Sequence, residues 1–124
     1  MKAVPKLVAV IDDDESMREA LPDLLREFGF AVVLFDAAEA FLASGAMDEI
    51  RCLILDIAMP GMTGPELQQE LIDRGVRIPI IFITAHADAN VRAELIDKGA
   101  VACLFKPFGD QELRAALDRA LAQS

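Results

Sequence analysis

Tryptophan and tyrosine are absent from this 124-residue chain, and seven phenylalanines supply all of its aromatic side chains. Functions that need a stacking indole or a phenol are therefore excluded. Cysteine is almost as scarce, since Cys52 and Cys103 are the only two and they form neither a disulfide framework nor a metal-ligand spacing. We expect both to be small buried thiols.

Basic residues are also few, with 12 Lys and Arg against 21 Asp and Glu and a formal net charge of −9. An acidic surface repels phosphate backbones and anionic lipid, so we expect this domain to bind neither nucleic acid nor membranes directly. No apolar run approaches the ~18 residues that a membrane helix needs. The apolar run near the amino terminus ends at three aspartates, where a signal peptide would need a cleavage site. These absences predict a cytoplasmic protein.

What the chain does contain is a regular alternation of short apolar runs and longer amphipathic segments. Its length suits one domain, residues 1–124, and 54% hydrophobic residues exclude disorder caused by low hydrophobicity. The apolar runs predict buried strands at 7–11, 31–35, 52–55, 79–84 and 101–105. The segments between them predict helices at 15–28, 37–44, 65–74, 88–98 and 110–122. Five successive β–α units imply an α/β fold, a doubly wound parallel sheet with helices on both faces.

Polar residues end the predicted strands, where such a sheet places its ligand site. In strand order they are Asp12 and Asp13, Asp36, Asp56, Thr84 and Lys106. We expect Asp36 to cap the helix that follows it, as Asp110 should cap the last helix. Two carboxylates ~5 Å apart repel by roughly 3 kcal/mol at an effective dielectric constant of 20, and Mg²⁺ would remove that cost. Each residue alone is typical of a solvated loop or a structural turn, but together they predict a cradle for a phosphoryl group.

Four segments resemble a known family: VIDDDESMREAL, LILDIAMPGMTGPEL, FITAHAD and LFKPF. Together they are similar to the receiver domain of two-component response regulators, and DIAMPGMTG and FITAHAD are similar to its FixJ-type branch. The resemblance extends from about residue 6 to the end of the chain. It implies the flavodoxin-like receiver fold, with five parallel strands in the order 2-1-3-4-5 flanked by five helices. In that order the fourth strand separates Cys52 from Cys103, so we expect no disulfide.

The resemblance also implies roles for the strand-end residues. Asp56 would accept a phosphoryl group from the phosphohistidine of a sensor histidine kinase or phosphotransfer protein, while Lys106 and Thr84 would contact that group. The implied Mg²⁺ ligands are Asp13, Asp56, the backbone carbonyl of Ala58 and, largely through water, Asp12. Pro107 is expected to follow a cis peptide bond. The implied function is a phosphorylation-switched signalling module, not an enzyme, that changes a protein-interaction surface or forms a phosphorylation-dependent homodimer.

The chain departs from the family pattern at Cys103. The family usually places Phe or Tyr three residues before the lysine, and that ring swings inward on activation. Side chains alternate along a strand, so Phe105 should share the face of Cys103. We predict that Phe105 takes over part of the signalling surface; the alternative is ordinary packing against the last helix. His86 should lie near the mouth of the site, either ordering hydrolytic water or standing in an exposed loop without such a role.

Other functions fit parts of the same pattern. A Mg²⁺-dependent phosphatase of the haloacid dehalogenase type would need a cap domain and a second acid where this chain has Ala58. A flavin- or nucleotide-binding module would need a Gly-rich loop where the chain has DDDES. A degenerate receiver is one that is never phosphorylated. The presence of Asp13, Asp56, Thr84 and Lys106 together argues against that interpretation. Because nothing follows the last predicted helix, we expect a stand-alone receiver more than the input domain of a longer regulator.

Overall fold

The computed structural model describes residues 5–86 and 88–122, in which strands and helices alternate. The strands are β1 (Leu7–Ile11), β2 (Ala31–Phe35), β3 (Ile50–Asp56), β4 (Ile80–Thr84) and β5 (Ala102–Phe105). The helices are α1 (Glu15–Glu27), α2 (Ala38–Ala43), α3 (Gly64–Asp73), α4 (Ala89–Asp97) and α5 (Asp110–Ala122). Every predicted strand and helix is present, with its ends shifted by no more than two residues.

The five strands form one parallel sheet in the order β2-β1-β3-β4-β5. The α/β class, the strand order and the receiver-like flavodoxin topology expected from the sequence are therefore confirmed. Parallel strands place all their carboxyl ends at one edge of the sheet, so the residues that follow them meet there. Within the described ranges, none of the helices has the length and apolar character needed to cross a lipid bilayer.

The sheet separates two apolar cores because successive side chains of a strand point to opposite faces. On one face the strands pack against α2, α3 and α4, through side chains that include Phe41, Leu67 and Leu95. On the other face they pack against α1 and α5, through side chains that include Leu25 and Leu117. Both faces of the sheet are covered, which explains why the strand sequences are apolar throughout instead of alternating.

The two cysteines lie in different cores, as free and buried thiols. Cys52 is on the α1–α5 face of β3 and Cys103 is on the opposite face of β5, with β4 between them. The expectation of two unpaired buried thiols is confirmed. Burial raises the pKa of the Cys52 thiol to about 12, so this group stays protonated at neutral pH.

Two predicted helix caps are wrong. The N-cap of α2 is Ala37, which makes no side-chain capping hydrogen bond, and Asp36 lies one residue too early for that role. Asp110 is already the first residue of α5, and the amide of Leu113 donates to the carbonyl oxygen of Gly109. Asp110 therefore places a negative charge in the first turn, where the helix dipole favours it.

Candidate functional site

The strand-end residues meet at the carboxyl edge of the sheet. Asp12 and Asp13 directly follow β1, and Asp56 is the last residue of its neighbour β3. Thr84 is the last residue of β4, and Lys106 directly follows β5. The structure therefore brings together side chains that are up to 94 residues apart in sequence.

Three acidic residues at this edge form a compact cluster. One carboxylate oxygen from each of Asp12, Asp13 and Asp56 lies within 4.8 Å of the others. Asp12 is fully buried, Asp56 is 7% exposed, and Asp13 faces solvent. The Asp14 amide donates to Asp12 Oδ1 at 2.8 Å and so orients the buried carboxylate. Hard oxygen donors at this spacing could hold a metal ion.

Lys106 supplies a positive charge to the same cluster. Its Nζ lies 3.1 Å from Asp12 Oδ2 and 3.8 Å from Asp56 Oδ2. The lysine side chain is only 17% exposed, so solvent screens these contacts less than it screens an ion pair on the surface. The amide of Lys106 donates to the Thr84 carbonyl oxygen at 2.7 Å, and the peptide bond to Pro107 is cis, as predicted.

The environment of Asp56 disfavours its ionised form. Burial and the neighbouring Asp12 carboxylate raise the pKa of Asp56 from an ordinary value of 3.8 to about 7. Lys106 and the Ala58 amide, which donates to Asp56 Oδ1 at 3.3 Å, act in the opposite direction. One lysine therefore does not compensate two buried carboxylates, and a further cation would stabilise the ionised cluster.

The loop between β3 and α3 depends on a glycine that sequence reasoning missed. A Cβ atom built on Gly64 would collide with the backbone oxygen of Asp56, so no larger residue fits beside the end of β3. Thr63 and Glu66 form a capping box, and Pro65 stands in the first turn. That box could have been recognised in the letters TGPE, but the close approach of Gly64 to Asp56 depends on the folded chain.

Thr84 is buried at the site, yet its hydroxyl is bonded to the loop between β4 and α4. Thr84 Oγ1 accepts from the His86 amide at 3.1 Å and donates to the His86 carbonyl oxygen at 3.3 Å. Thr84 itself is 4% exposed, whereas Ala85 and His86 are exposed. The hydroxyl thus has local partners that it would have to leave in order to reach a group on Asp56.

Cys103 and Phe105 share one face of β5, as the alternation predicts, and both pack in the core below α4. The guanidinium carbon of Arg92, on α4, lies 5.9 Å from the centre of the Phe105 ring. Packing of Phe105 against the last helix, the alternative expectation, is wrong because α5 packs on the other face of the sheet. Phe105 pairs in register with Thr84 on the adjacent strand.

Known proteins match both the sequence and the fold. The family model for the response regulator receiver domain matches residues 8–118. Nodulation protein W of Bradyrhizobium diazoefficiens is 44% identical over 111 residues, covering 90% of this chain and 49% of that protein. Transcriptional regulatory protein FixJ of Azorhizobium caulinodans is 40% identical over 117 residues, covering 94% of this chain and 56% of that protein. The crystal structure of FixJ-N, 37% identical, superposes with a TM-score of 0.86 over 98% of each chain.

The fold, the acidic cluster and these matches together define a signalling domain built on a flavodoxin-like sheet. The chain belongs to the response regulator receiver domain family and has the receiver function of two-component signal transduction. Its resemblance to FixJ-type regulators is confirmed. The chain spans about half the length of the curated relatives it matches.

Proposed function

We propose that residues 1–124 act as one receiver domain in which Asp56 accepts a phosphoryl group. The observation that supports this most directly is the buried Asp56 carboxylate, which lies between Lys106 and two further carboxylates at one sheet edge. In the proposed reaction, an Asp56 oxygen forms a bond to the phosphorus of a phosphohistidine while the phosphorus–nitrogen bond breaks. The histidine ring keeps that electron pair, and the product on the receiver is an acyl phosphate.

The charges at the site suit this transfer. Phosphoryl transfer is catalysed mainly by positioning and by stabilising the charge on the transferred oxygens. Lys106 Nζ, 3.8 Å from Asp56 Oδ2, is close enough to pair with those oxygens after the transfer. The nucleophile must be ionised, and burial together with the Asp12 carboxylate raises the pKa of Asp56 to about 7, so a bound cation would favour the reactive form.

Mg²⁺ is the cation that we propose for the acidic cluster, because carboxylates and carbonyl groups are the hard oxygen ligands it prefers. Asp13, Asp56 and the backbone carbonyl of Ala58 would hold it directly. Asp12 would act largely through water, in keeping with its existing bonds to Lys106 and to the Asp14 amide. When bound, the ion would supply the positive charge that the cluster lacks.

The signal would leave the site through Thr84 and β5. On phosphorylation, we propose, the Thr84 hydroxyl exchanges its bonds to His86 for one to the phosphoryl group. That movement changes the β4–α4 loop and the position of α4, which contacts Phe105 through Arg92. The proposed signalling surface therefore consists of His86 and Phe105. Cys103, expected from the sequence to belong to it, is 4% exposed and can act on it only from the core.

We propose a sensor histidine kinase or a phosphotransfer protein as the phosphoryl donor, and the cytoplasm as the place of transfer. The net charge of −9 argues against direct contact with nucleic acid or an anionic membrane. The domain would not turn over phosphate esters as an enzyme, because Ala58 stands where a second catalytic acid would be needed. The output would be a changed protein contact, including a homodimer that forms on phosphorylation.

Intact-mass measurement after treatment with Mg²⁺ and acetyl phosphate tests the central proposal. The parent chain should gain the mass of one phosphoryl group, and Asp56→Asn should gain none. Asp36→Asn, which changes an exposed aspartate just after β2, is the matched control and should gain the group normally. An adduct on both the parent and Asp56→Asn, or on neither, would refute the assignment.

Phosphorylation-dependent association tests the signalling surface. Phe105→Ala should abolish or weaken association of the phosphorylated chain, measured by sedimentation against the unphosphorylated chain. Phe28→Ala is the matched control, because Phe28 also lies under a guanidinium group, that of Arg114 at 5.2 Å, but on the other face of the sheet. Unchanged association of Phe105→Ala would exclude the role of this ring.

The lifetime of the acyl phosphate tests the role of His86. If this exposed side chain orders hydrolytic water, His86→Ala should dephosphorylate at a different rate from the parent chain. Equal rates would end this part of the proposal and leave His86 as an exposed loop residue.

A further inference from the structure

An acidic side chain on α2 reaches the loop that follows Asp56. Glu39 is the second residue of this six-residue helix. Its Oε2 accepts a hydrogen bond from the backbone amide of Met62 at 3.3 Å, across 23 residues of sequence. Neither the strand-end pattern nor the receiver motifs of the sequence single out this residue.

A second observation at the same place concerns Gly61. Its backbone has a φ of +75°, a conformation that favours glycine. A Cβ atom built on Gly61 would lie 2.6 Å from Glu39 Oε2, too close for any real contact. Gly61 therefore serves the loop twice, by its conformation and by leaving room for the carboxylate.

Other parts of this loop are anchored to the sheet and to α3. The Ile57 amide donates to the Ile83 carbonyl oxygen at 3.1 Å, and the Gly64 amide donates to the Ile57 carbonyl oxygen at 3.0 Å. Thr63 is held in the capping box of α3. Glu39 adds a polar anchor from α2 to the stretch between these ends, the stretch that follows Ala58.

We propose that Glu39 is a positioning residue for the Asp56 site, and this proposal rests on the proposed function. Glu39 does not touch the reacting atoms; it holds residues 58–62 in the conformation that keeps the Ala58 backbone beside Asp56. The Ala58 amide already bonds to Asp56 Oδ1, and its carbonyl is the proposed ligand of Mg²⁺. Loss of the Glu39 anchor would therefore loosen the loop and weaken Mg²⁺ binding without changing any ligand.

Two substitutions at Glu39 separate positioning from simple charge. Glu39→Ala removes the acceptor and the charge, whereas Glu39→Gln keeps an acceptor oxygen and removes only the charge. Glu49→Ala is the control, since Glu49 is also exposed but precedes β3 at the opposite edge of the sheet. The measurements are amide hydrogen exchange at Met62 and Ala58 by NMR, and the Mg²⁺ dissociation constant by calorimetry at pH 8.

Glu39→Ala should accelerate exchange at Met62 and weaken Mg²⁺ binding by about threefold to tenfold, the range expected for loss of one hydrogen bond. Glu39→Gln should restore most of both properties, and Glu49→Ala should match the parent. Parent-like exchange and Mg²⁺ affinity in Glu39→Ala would overturn the proposal. Equal weakening in Glu39→Ala and Glu39→Gln with unchanged exchange would also overturn it, because the effect would then be one of charge alone.

Gly61→Ala gives an independent test of the same contact. In the parent chain it should strain the loop and also displace the Glu39 carboxylate, whereas in the Glu39→Ala chain only the strain remains. Its effect on Mg²⁺ affinity should therefore be smaller in the Glu39→Ala chain, and strictly additive effects would contradict the proposal. Failure of the Glu39 proposal can be told apart from failure of the proposed function. The function fails if the parent chain gains no phosphoryl group on Asp56, whereas the Glu39 proposal is decided by hydrogen exchange and Mg²⁺ affinity.

Discussion

Helices α4 and α5 cover β5 from opposite faces of the sheet, but they are attached in different ways. The 13-residue α5 buries four side chains in the core, namely Leu113, Ala116, Leu117 and Ala120. The nine-residue α4 buries only Leu95. Apolar burial is the main source of stability for a surface helix, so α5 is fixed to the sheet and α4 is held much more weakly.

Polar contacts supply part of what holds α4. Gln68, on α3, donates from Nε2 to the Leu95 carbonyl oxygen at 3.2 Å. Lys98 Nζ, just after α4, lies 3.4 Å from Gln69 Oε1, and Arg92 lies over the Phe105 ring. Each such contact contributes about 1 kcal/mol or less. Because α4 directly follows the loop bonded to Thr84, the weakly held helix is also the one placed to respond to the site.

The largest expected effect is that of truncating the core of α5. Leu117 is fully buried, and Leu117→Ala should lower the free energy of unfolding by about 3–4 kcal/mol through lost burial and a cavity. Urea denaturation followed by circular dichroism measures this. A loss below ~1 kcal/mol would show that α5 is not firmly attached to the sheet.

The matching change in α4 should be milder and more local. Leu95 is 3% exposed, and Leu95→Ala should lower the free energy of unfolding by about 2 kcal/mol. Hydrogen exchange should become faster in α4 than in α5, because α4 can open without the rest of the domain. A global loss as large as that of Leu117→Ala, with no local change in exchange, would remove the distinction between the two helices.

Asp56→Asn changes the stability of the whole domain without altering a residue of α4 or α5. It therefore distinguishes amides that exchange through global unfolding from amides that exchange through local opening. Because its pKa is about 7 in the folded domain against an ordinary 3.8, folded Asp56 binds its proton more tightly than the unfolded chain does. Its contribution to stability therefore falls as the pH rises from about 4 to 7 and stays low above that. The difference between the folded and unfolded pKa of Asp56 corresponds to at most ~4 kcal/mol of unfolding free energy. Asp56→Asn should recover about 2 kcal/mol of this, because the asparagine amide is itself a buried polar group.

In the absence of Mg²⁺, Asp56→Asn should thus be more stable than the parent at pH 8 and lose that advantage towards pH 4. Amides of α5 that exchange through global unfolding should become more protected at pH 8, while those of α4 should change little. Asp36→Asn is the control and should follow the parent at every pH. A stability difference that does not vary with pH would show that ionisation of Asp56 is not its cause.

Much of this arrangement can be predicted from the sequence, for reasons the structure makes clear. Strands covered on both faces are apolar throughout, and their carboxyl ends meet, so Asp12, Asp56 and Lys106 could be grouped before the fold was seen. The caps proposed at Asp36 and Asp110 are wrong because a shift of one residue decides which side chain stands at a helix end.

Contacts between elements distant in sequence could not be predicted. The hydrogen bond from Met62 to Glu39 and the approach of Gly64 to Asp56 depend on where loops meet after folding. The weak attachment of α4, by contrast, leaves a trace in the sequence, because its apolar residues are less clearly gathered on one face than those of α5. Gln68 on α3 is polar in the sequence yet 2% exposed in the fold, because it lies at the α3–α4 contact.

Gln68→Met should have the smallest global effect and the most specific local one. Among the described residues Gln68 Oε1 has no hydrogen-bond partner, so Met removes an unsatisfied buried atom together with the bond to Leu95. The Leu95 carbonyl still accepts from the Ala100 amide at 3.0 Å. The free energy of unfolding should therefore change by less than about 1 kcal/mol.

Hydrogen exchange should nevertheless accelerate in α4 and not in α5, because one of the few bonds that hold α4 is gone. Ile72→Met, at an exposed position of α3 whose side chain makes none of these polar contacts, is the control for the general effect of methionine on α3. A loss of 3 kcal/mol or more in Gln68→Met, a size typical of a disrupted core, would mean that the α3–α4 contact is part of the rigid domain. In that case α4 would be as firmly fixed as α5, and the route from Thr84 to the surface would have to lie elsewhere.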